Sequence, residues 1–213
     1  MRLKFEEQLK QLNNEMTNLG SMIEQAIQGA INAFLAQDVE AAKKIMDEDA
    51  QIDHEQKKIE NICFNLLIQQ QPVAKDLRNI TAALKMVTDM ERIGDHAADI
   101  SEITIMSADM PYKFDTDKIK KMAGEAIQML LRAIEAYVEK DVEKARRVIA
   151  HDDVVDDLFL QVKRQLVDIM KSNPDYEEHA ADMLMIDKYL ERIGDHATNI
   201  AEWVIFSIIG EQQ

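Results

Sequence analysis

The chain has 213 residues, of which 46% are hydrophobic and 31% are charged, and its formal net charge is −15. This much apolar material excludes a disordered chain, and the scarcity of glycine (6 residues) and proline (3 residues) disfavours a β-protein. The negative charge disfavours nucleic acid and anionic membrane surfaces as partners, because both require a cationic protein face. The single cysteine, Cys63, provides neither a disulfide framework nor a cysteine-type zinc site.

No signal peptide is recognisable, since charged and apolar residues alternate over residues 1–10. The apolar segment at residues 203–209 is too short to span a bilayer. We expect that segment to pack against the first helix, with a contact in a dimer or with a partner protein as the alternative. We therefore expect a soluble, cytoplasmic protein.

Apolar residues at helical spacing predict six long helices. We expect them at about residues 5–36, 39–70, 73–107, 115–139, 142–170 and 175–209. Asp38 and Asp141 are predicted to cap the second and fifth helices, and Pro72 is predicted to open the third.

The second half of the chain repeats the first. The sequence Glu-Arg-Ile-Gly-Asp-His-Ala occurs at residues 91–97 and again at residues 191–197. A duplication of three long helices predicts an all-α fold of two tandem three-helix bundles related by pseudo-twofold symmetry. We expect the first bundle in residues 1–108 and the second in residues 115–213, with residues 109–114 joining them into one compact unit.

Acidic residues share one face on four of the predicted helices. On the third helix, these residues are Glu91, Asp95, Asp99 and Glu102, and the corresponding residues of the sixth are Glu191, Asp195, Asn199 and Glu202. The second and fifth helices each carry one i, i+4 pair of aspartates, Asp49 with Asp53 and Asp152 with Asp156.

Carboxylates at i and i+4 destabilise a helix by roughly 0.2–0.5 kcal/mol per pair unless a cation compensates them. Antiparallel neighbouring helices would bring these pairs face to face, and we expect no lysine or arginine at the matching positions. Converging carboxylates then need a multivalent cation, and oxygen ligands suit magnesium, calcium, manganese or iron better than zinc. The alternative is a solvated acidic face that binds only water.

Other residues of the repeated phrase also carry predictions. A glycine inside a helix costs on the order of 1 kcal/mol relative to alanine, so Gly94 and Gly194 predict close packing by a neighbouring element. His96 and His196 are expected to bond at the helix surface or between helices, with a role behind the metal ligands as the alternative. The arginine beside each repeated glutamate is expected to contact another helix rather than that glutamate.

These features resemble the PhoU family, whose members are accessory regulators of high-affinity phosphate uptake. The most specific features are the doubled phrase, the two aspartate pairs, and the Gln-Gln-Pro-Val-Ala-Lys-Asp-Leu-Arg segment at residues 70–78. The resemblance covers nearly the whole chain. It implies a pair of three-helix bundles that hold multinuclear metal clusters, with iron as the expected metal and magnesium, manganese or calcium as alternatives.

Carried over residue by residue, the resemblance implies two metal sites. The first site would use Asp49, Asp53, Glu91, Asp95 and Asp99. The second site would use Asp152, Asp156, Glu191 and Asp195. Asn199 stands at the position that corresponds to Asp99, so the two sites are expected to differ in charge. The second half also lacks the segment that begins the third helix, so a partner surface built on that segment is not expected to be duplicated.

The resemblance further implies a non-enzymatic regulator that contacts the ATPase subunit of the phosphate ABC transporter and a membrane sensor histidine kinase. Such a regulator damps the phosphate-starvation response when phosphate is plentiful. A metal-independent helical adaptor is one alternative. A di-metal carboxylate enzyme is another, but ferritin-like bundles use a Glu-x-x-His motif, and none of the five histidines follows a glutamate at that spacing.

Overall fold

The computed structural model describes residues 2–70 and 72–210, and it contains six α-helices and no strand within those residues. The helices are α1 (Arg2–Ala36), α2 (Val39–Gln70), α3 (Ala74–Met106), α4 (Asp117–Glu139), α5 (Val142–Ser172) and α6 (Glu177–Ile209). A 3₁₀ helix, Pro174–Tyr176, precedes α6. The prediction of an all-α protein with six long helices is confirmed.

The predicted aspartate caps begin α2 and α5. The Oδ1 atom of Asp38 accepts hydrogen bonds from the backbone N–H groups of Glu40 (3.1 Å) and Ala41 (3.0 Å). The Oδ1 atom of Asp141 accepts one from the backbone N–H of Lys144 at 2.9 Å. Each cap satisfies donors that the first helical turn leaves unpaired, so both helices begin where the sequence predicts.

The helix α3 begins one residue later than predicted, and Pro72 precedes its N-cap instead of lying in its first turn. Val73 has extended backbone angles (φ −72°, ψ 165°) and forms the N-cap, so α3 begins at Ala74. Gln71, which belongs to the segment that resembles the PhoU family, lies outside the described residues.

The helices form two tandem bundles that are related by the expected pseudo-twofold symmetry. One bundle consists of α1, α2 and α3, and the other consists of α4, α5 and α6. The bundles meet mainly along α3 and α6, which occupy equivalent positions in the two repeats, and also along α1 and α4. The two copies of the repeated phrase therefore lie at the centre of the molecule.

The core is continuous through both bundles. The apolar stripe of α3 is completely buried, and it comprises Met86, Met90, Ile93, Ala97 and Ile100. Burying an isoleucine or methionine side chain contributes about 1.5–3 kcal/mol. This stripe therefore fixes which face of α3 points inward, and the acidic residues are left near the edge of its contact with α2.

The prediction that residues 203–209 pack against α1 is wrong. Within the described residues α6 packs on α3, α4 and α5, and α3 lies between α6 and α1. Leu9 shares only a small cavity with Ser207 and Ile208. None of the described helices is both long and apolar enough to cross a membrane.

Two tyrosine side chains anchor the connection between α3 and α4 to the bundles. The hydroxyl of Tyr112 donates a hydrogen bond to the backbone carbonyl of Phe34 in α1 (2.7 Å). The hydroxyl of Tyr176, which precedes α6, accepts one from the backbone N–H of Lys113 (3.2 Å). The connection is thus anchored to each bundle by at least one buried or partly buried tyrosine.

The division of the chain into residues 1–108 and 115–213, joined by residues 109–114, stays a prediction. We propose this division because each unit would contain one complete three-helix bundle. Met1 and residues 211–213 lie outside the described residues.

Candidate metal centre

The first acidic cluster comprises Asp49 and Asp53 of α2 and Glu91 and Asp95 of α3. The i, i+4 spacing places each pair on one side of its helix, and the short connection between α2 and α3 makes the two helices antiparallel neighbours. As a result, carboxylate oxygens of Asp49, Asp53 and Asp95 lie within 4.8 Å of one another. The predicted convergence of acidic pairs therefore occurs in the first half of the chain.

Burial, together with repulsion from neighbouring carboxylates, raises the pKa of two residues of the first cluster. Burial raises the pKa of Asp49, and the charges of Asp95 and Asp53 raise it further. Burial likewise raises the pKa of Glu91, with Asp95 as the largest charge contribution. A bound cation would offset both effects, because it favours the ionised form of each carboxylate that it contacts.

Asp99 lies one turn beyond the first cluster and interacts both with the cluster and with His96. Its charge raises the pKa of Asp49, so it lies within electrostatic reach of the cluster. Its Oδ2 atom, however, lies 3.2 Å from Nδ1 of His96 on the same helix. Asp99 is not among the three residues whose carboxylate oxygens converge, which are Asp49, Asp53 and Asp95.

The second acidic cluster comprises Asp152 and Asp156 of α5 and Glu191 and Asp195 of α6. Burial raises the pKa of Asp152 to about 6, assisted by the charges of Asp156 and Asp195. The Oδ1 atom of Asp152 is buried and has no hydrogen-bond partner among the described residues. The four residues interact electrostatically, but over the part of the chain that the structure describes no three of their ligand atoms lie as close together as those of the first cluster.

The expectation that no lysine or arginine lies at the clusters is wrong in both halves. Arg92 donates a hydrogen bond to Oδ2 of Asp95 (3.1 Å), and its Nε atom lies 3.6 Å from Glu91. The expectation that this arginine contacts another helix is therefore also wrong, because its long side chain folds back along α3. In the second cluster, the ammonium of Lys188 forms a salt bridge with Glu191.

The repeated glycines lie where neighbouring helices come closest, as predicted. A Cβ atom on Gly94 would lie 2.9 Å from Cγ2 of Ile52. A Cβ atom on Gly194 would lie 3.1 Å from Oδ1 of Asp152. The absence of a side chain at these positions allows α2 to approach α3 and α5 to approach α6, and this approach brings the acidic pairs together.

The two histidines of the repeated phrase meet at the junction of α3 and α6, with ring centroids 5.6 Å apart. The Nδ1 atom of His196 lies 2.8 Å from Oδ1 of Asp89 on α3, which confirms the expected bond between helices. The side-chain amide of Asn199 donates to the same oxygen at 3.2 Å. Asn199, which corresponds to Asp99, thus joins the two bundles.

Sequence reasoning missed three side chains near the clusters: Asp89, Asp187 and Lys188. Each occupies a position at which the two repeats differ, since α3 has Val87 and Thr88 where α6 has Asp187 and Lys188. A comparison of the repeats position by position would have singled these residues out.

The residues present fit a cation that prefers oxygen ligands. The first cluster offers several carboxylate oxygens from two rigid helices, and the second contains an unpaired buried oxygen on Asp152. Hard cations such as magnesium, calcium and manganese take carboxylate ligands, and iron also accepts them. Zinc sites usually include cysteine or histidine ligands, so zinc suits this set of donors less well.

Comparison with known proteins identifies the family. A family model described as the PhoU domain matches the chain twice, at residues 16–104 and at residues 119–204. A Clostridium acetobutylicum protein named phosphate-specific transport system accessory protein PhoU homolog is 38% identical over 209 residues, which cover 98% of this chain and 95% of the relative. A Borreliella burgdorferi protein of the same name is 31% identical over 218 residues, covering 100% of this chain and 98% of the relative.

Solved structures agree with this similarity. The crystal structure of PhoU from Pseudomonas aeruginosa superposes with a TM-score of 0.92 at 29% identity, covering 97% of this chain and 100% of that one. The phosphate transport system regulatory protein PhoU from Streptococcus pneumoniae gives a TM-score of 0.88 at 25% identity, covering 98% of this chain and 99% of that one. The chain belongs to the PhoU family.

Proposed function

We propose that the protein is a non-enzymatic accessory regulator of a phosphate-specific transport system. The observation that carries this proposal is the extent of the similarity. Relatives named as accessory proteins of that system match essentially the whole chain, including both bundles. A helical pair of bundles with acidic clusters and no nucleotide-binding loop suits a protein that acts through contacts with others.

The proposed partners are the ATPase subunit of the phosphate ABC transporter and a membrane sensor histidine kinase, which the family resemblance implies. Both partners would be met on the cytoplasmic side of the membrane, so we assign the protein to the cytoplasm. We also propose that it forms a homodimer. The net charge of −15 supports protein partners with basic surfaces over nucleic acid.

We further propose that both acidic clusters bind metal, with iron first among the oxygen-preferring metals. The first site would use Asp49, Asp53, Glu91 and Asp95, with Asp99 as an outer contributor. The second site would use Asp152, Asp156, Glu191 and Asp195. A bound metal would offset the negative charge of these carboxylates. Gly94 and Gly194 allow the helices to lie close enough for both acidic pairs to reach it.

Genetic complementation tests the regulatory proposal. In the source organism, deletion of the gene is expected to alter phosphate-responsive transcription and phosphate uptake, and a plasmid-borne wild-type copy is expected to restore both. A deletion strain with normal transcription and uptake, over both low and high phosphate, would contradict the proposal.

A metal-independent adaptor is the second candidate, and one observation favours it. Arg92 and Lys188 already pair with carboxylates of the two clusters, so part of the charge is neutralised by the chain itself. This candidate predicts that variants lacking the acidic clusters complement the deletion strain as well as the wild-type protein does. Loss of regulation in those variants would favour the metal-dependent form.

A further inference from the structure

The second cluster has a cation and an aromatic ring at positions where the first has neutral polar side chains. Aligning the repeats on their shared acidic residues pairs Lys188 with Thr88, and Phe159 with Gln56. These substitutions lie on the two helices that form the cluster, one turn from its carboxylates. The immediate surroundings of the second cluster therefore differ from those of the first at these two positions.

Lys188 reaches into the second cluster and is held from two sides. Its ammonium forms a salt bridge with Oε2 of Glu191 on its own helix. The same ammonium lies 5.4 Å from the ring centroid of Phe159 on α5. A cation within about 6 Å of an aromatic face is attracted to it, so Phe159 stabilises the position in which Lys188 meets Glu191.

The salt bridge with Lys188 occupies Glu191, one of the proposed metal ligands. The side chains of Glu191 and Lys188 are 14% and 39% exposed, so solvent screens this salt bridge less than it screens a pair in which both side chains are exposed. In the first cluster, the hydroxyl of Thr88 donates to the backbone carbonyl of Leu84 (3.1 Å) and brings no charge. Glu91 therefore meets no lysine from this position.

A buried carboxyl group, Asp187, also lies near Lys188. Asp187 is fully buried, and neither of its carboxylate oxygens has a hydrogen-bond partner among the described residues. It lies within electrostatic reach of Lys188 and of Lys163 on α5. The first repeat has Val87 at this position, so the two clusters also differ in this neighbouring carboxyl group.

Arg92 does not play the same part in the first cluster. Its side chain is 58% exposed, so it approaches Asp95 from the solvent and is well screened. The phrase also carries an arginine in the second repeat, Arg192, so this position does not distinguish the two clusters.

We propose that Lys188 is a tethered cation that competes with divalent metal ions for Glu191, so that the second cluster binds metal more weakly than the first. This inference rests on the proposed metal-binding function of both clusters. A metal ion that coordinates Glu191 must displace the ammonium from its hydrogen bond and from the face of Phe159. At the first cluster, Thr88 imposes no such competition.

The test is a calorimetric titration with Mn²⁺ of a chain in which D49N, D53N and D95N disable the first cluster. In that background Lys188→Thr, which copies Thr88, is expected to lower the dissociation constant for Mn²⁺ about tenfold, because a charge-assisted hydrogen bond no longer competes. The converse exchange, Thr88→Lys in a chain whose second cluster is disabled, is expected to weaken binding at the first cluster.

Two further variants keep the test decisive. Lys171→Thr removes the same charge from a side chain that is 73% exposed and that pairs, among the described residues, with Asp168, so it is expected to leave the dissociation constant unchanged. Lys188→Met keeps the aliphatic stem and removes the charge, and it replaces Lys188→Thr if that variant fails to fold by circular dichroism. The methionine variant is expected to show the same gain in affinity.

The outcomes separate this inference from the function on which it rests. Tighter Mn²⁺ binding in the Lys188 variants, with none in Lys171→Thr, supports the tethered cation. Unchanged binding in the Lys188 variants, or an equal gain in Lys171→Thr, overturns it, and Mn²⁺ binding at the first cluster would still uphold the proposed metal site. Failure of every variant and of the wild-type chain to bind Mn²⁺ overturns both.

Discussion

Gly94 of α3 lies directly against Ile52 of α2, because a Cβ atom at position 94 would come within 2.9 Å of Cγ2 of Ile52. The same Cβ atom would lie 3.7 Å from Oδ1 of Asp49. Gly94 therefore sets the separation between α2 and α3 at the level of the first acidic cluster. This contact gives a structural reason for a glycine in the middle of a long helix.

The Gly94→Ala variant is expected to be less stable than the wild-type chain. Alanine gains about 1 kcal/mol of helix propensity, but overpacking a buried contact costs about 1–3 kcal/mol, and Ile52 is a buried, β-branched side chain with restricted rotamers. We expect a net loss of about 1 kcal/mol, measured by urea unfolding monitored by circular dichroism.

Gly124→Ala in α4 is the matched control for that variant. Apart from the adjoining residues and helix backbone, no atom of the described residues lies within 4 Å of the position that its Cβ would occupy, so only the gain in helix propensity remains. We expect Gly124→Ala to equal or exceed the wild-type stability. A Gly94→Ala chain as stable as Gly124→Ala would contradict the close approach of α2 and α3.

The contact between Asp89 and His196 is expected to contribute to the joining of the two bundles. The pair lies 2.8 Å apart and links α3 to α6, and both side chains are at most 23% exposed. In a double-mutant cycle of Asp89→Ala and His196→Ala, we expect a coupling free energy of about 1 kcal/mol. Unfolding in urea provides the four stabilities that the cycle requires.

The exposed pair Lys171 and Asp168 serves as the comparison for this cycle. These side chains are 73% and 78% exposed and lie 3.8 Å apart, so their coupling is expected to be close to zero. Equal coupling free energies for the two pairs would show that the contact between α3 and α6 is no stronger than a surface ion pair.

Asp187 is expected to make the stability of the metal-free protein fall as the pH rises. Burial, with a smaller contribution from the charge of Glu191, raises the pKa of Asp187 to about 8, and the lysines at positions 163 and 188 oppose this shift. In the unfolded chain the pKa of an aspartate is about 3.9. The folded state therefore binds an extra proton between these values, and stability from this group is lost as pH rises from about 4 through 8.

The Asp187→Asn variant removes the ionisation and keeps the shape of the side chain. We expect its melting temperature to exceed that of the wild-type chain by roughly 3 °C or more at pH 8.5, and by much less at pH 5, where only the first part of this loss has occurred. Differential scanning calorimetry of metal-free protein measures both. Asp168→Asn, at an exposed position, is expected to show no such difference. A benefit of Asp187→Asn that is equal at both pH values would contradict the role assigned to burial.

The helices and their ends were predictable because the signals are local. Asp38 caps α2 with its own side chain, and apolar residues at helical spacing mark the buried stripe of α3. The meeting of Asp49, Asp53 and Asp95 was also predictable. Helical spacing fixes each pair on one side of its helix, and a short connection makes the helices antiparallel.

The side chains that complete the clusters were not predictable, because they depend on rotamers and on neighbouring helices. The long side chain of Arg92 extends back along α3 to Asp95, and that of Lys188 lies between Glu191 and Phe159. Spacing along a single helix gives the direction of a Cβ atom, but it does not determine where a flexible cationic group four or more bonds away comes to rest.

The sequence predicted that the two bundles are related by pseudo-twofold symmetry, but not which helices meet. A duplication implies that equivalent helices meet, but it does not state which of the three forms the junction. Because α3 and α6 form most of the junction, Asp89 contacts His196 and Asn199, and the segment at residues 203–209 packs on helices other than α1.

Elemental analysis of the protein purified without chelators tests the metal centre most directly. The comparison is between the wild-type chain and the variant D49N/D53N/D95N, which removes the three converging carboxylates of the first cluster. The control variant D115N/D168N/D175N removes the same number of charges from exposed positions. We predict metal in the wild-type and control chains and a ratio of metal to protein reduced by at least about half in the cluster variant. A wild-type chain free of metal, or a cluster variant with an undiminished ratio, would contradict the metal centre.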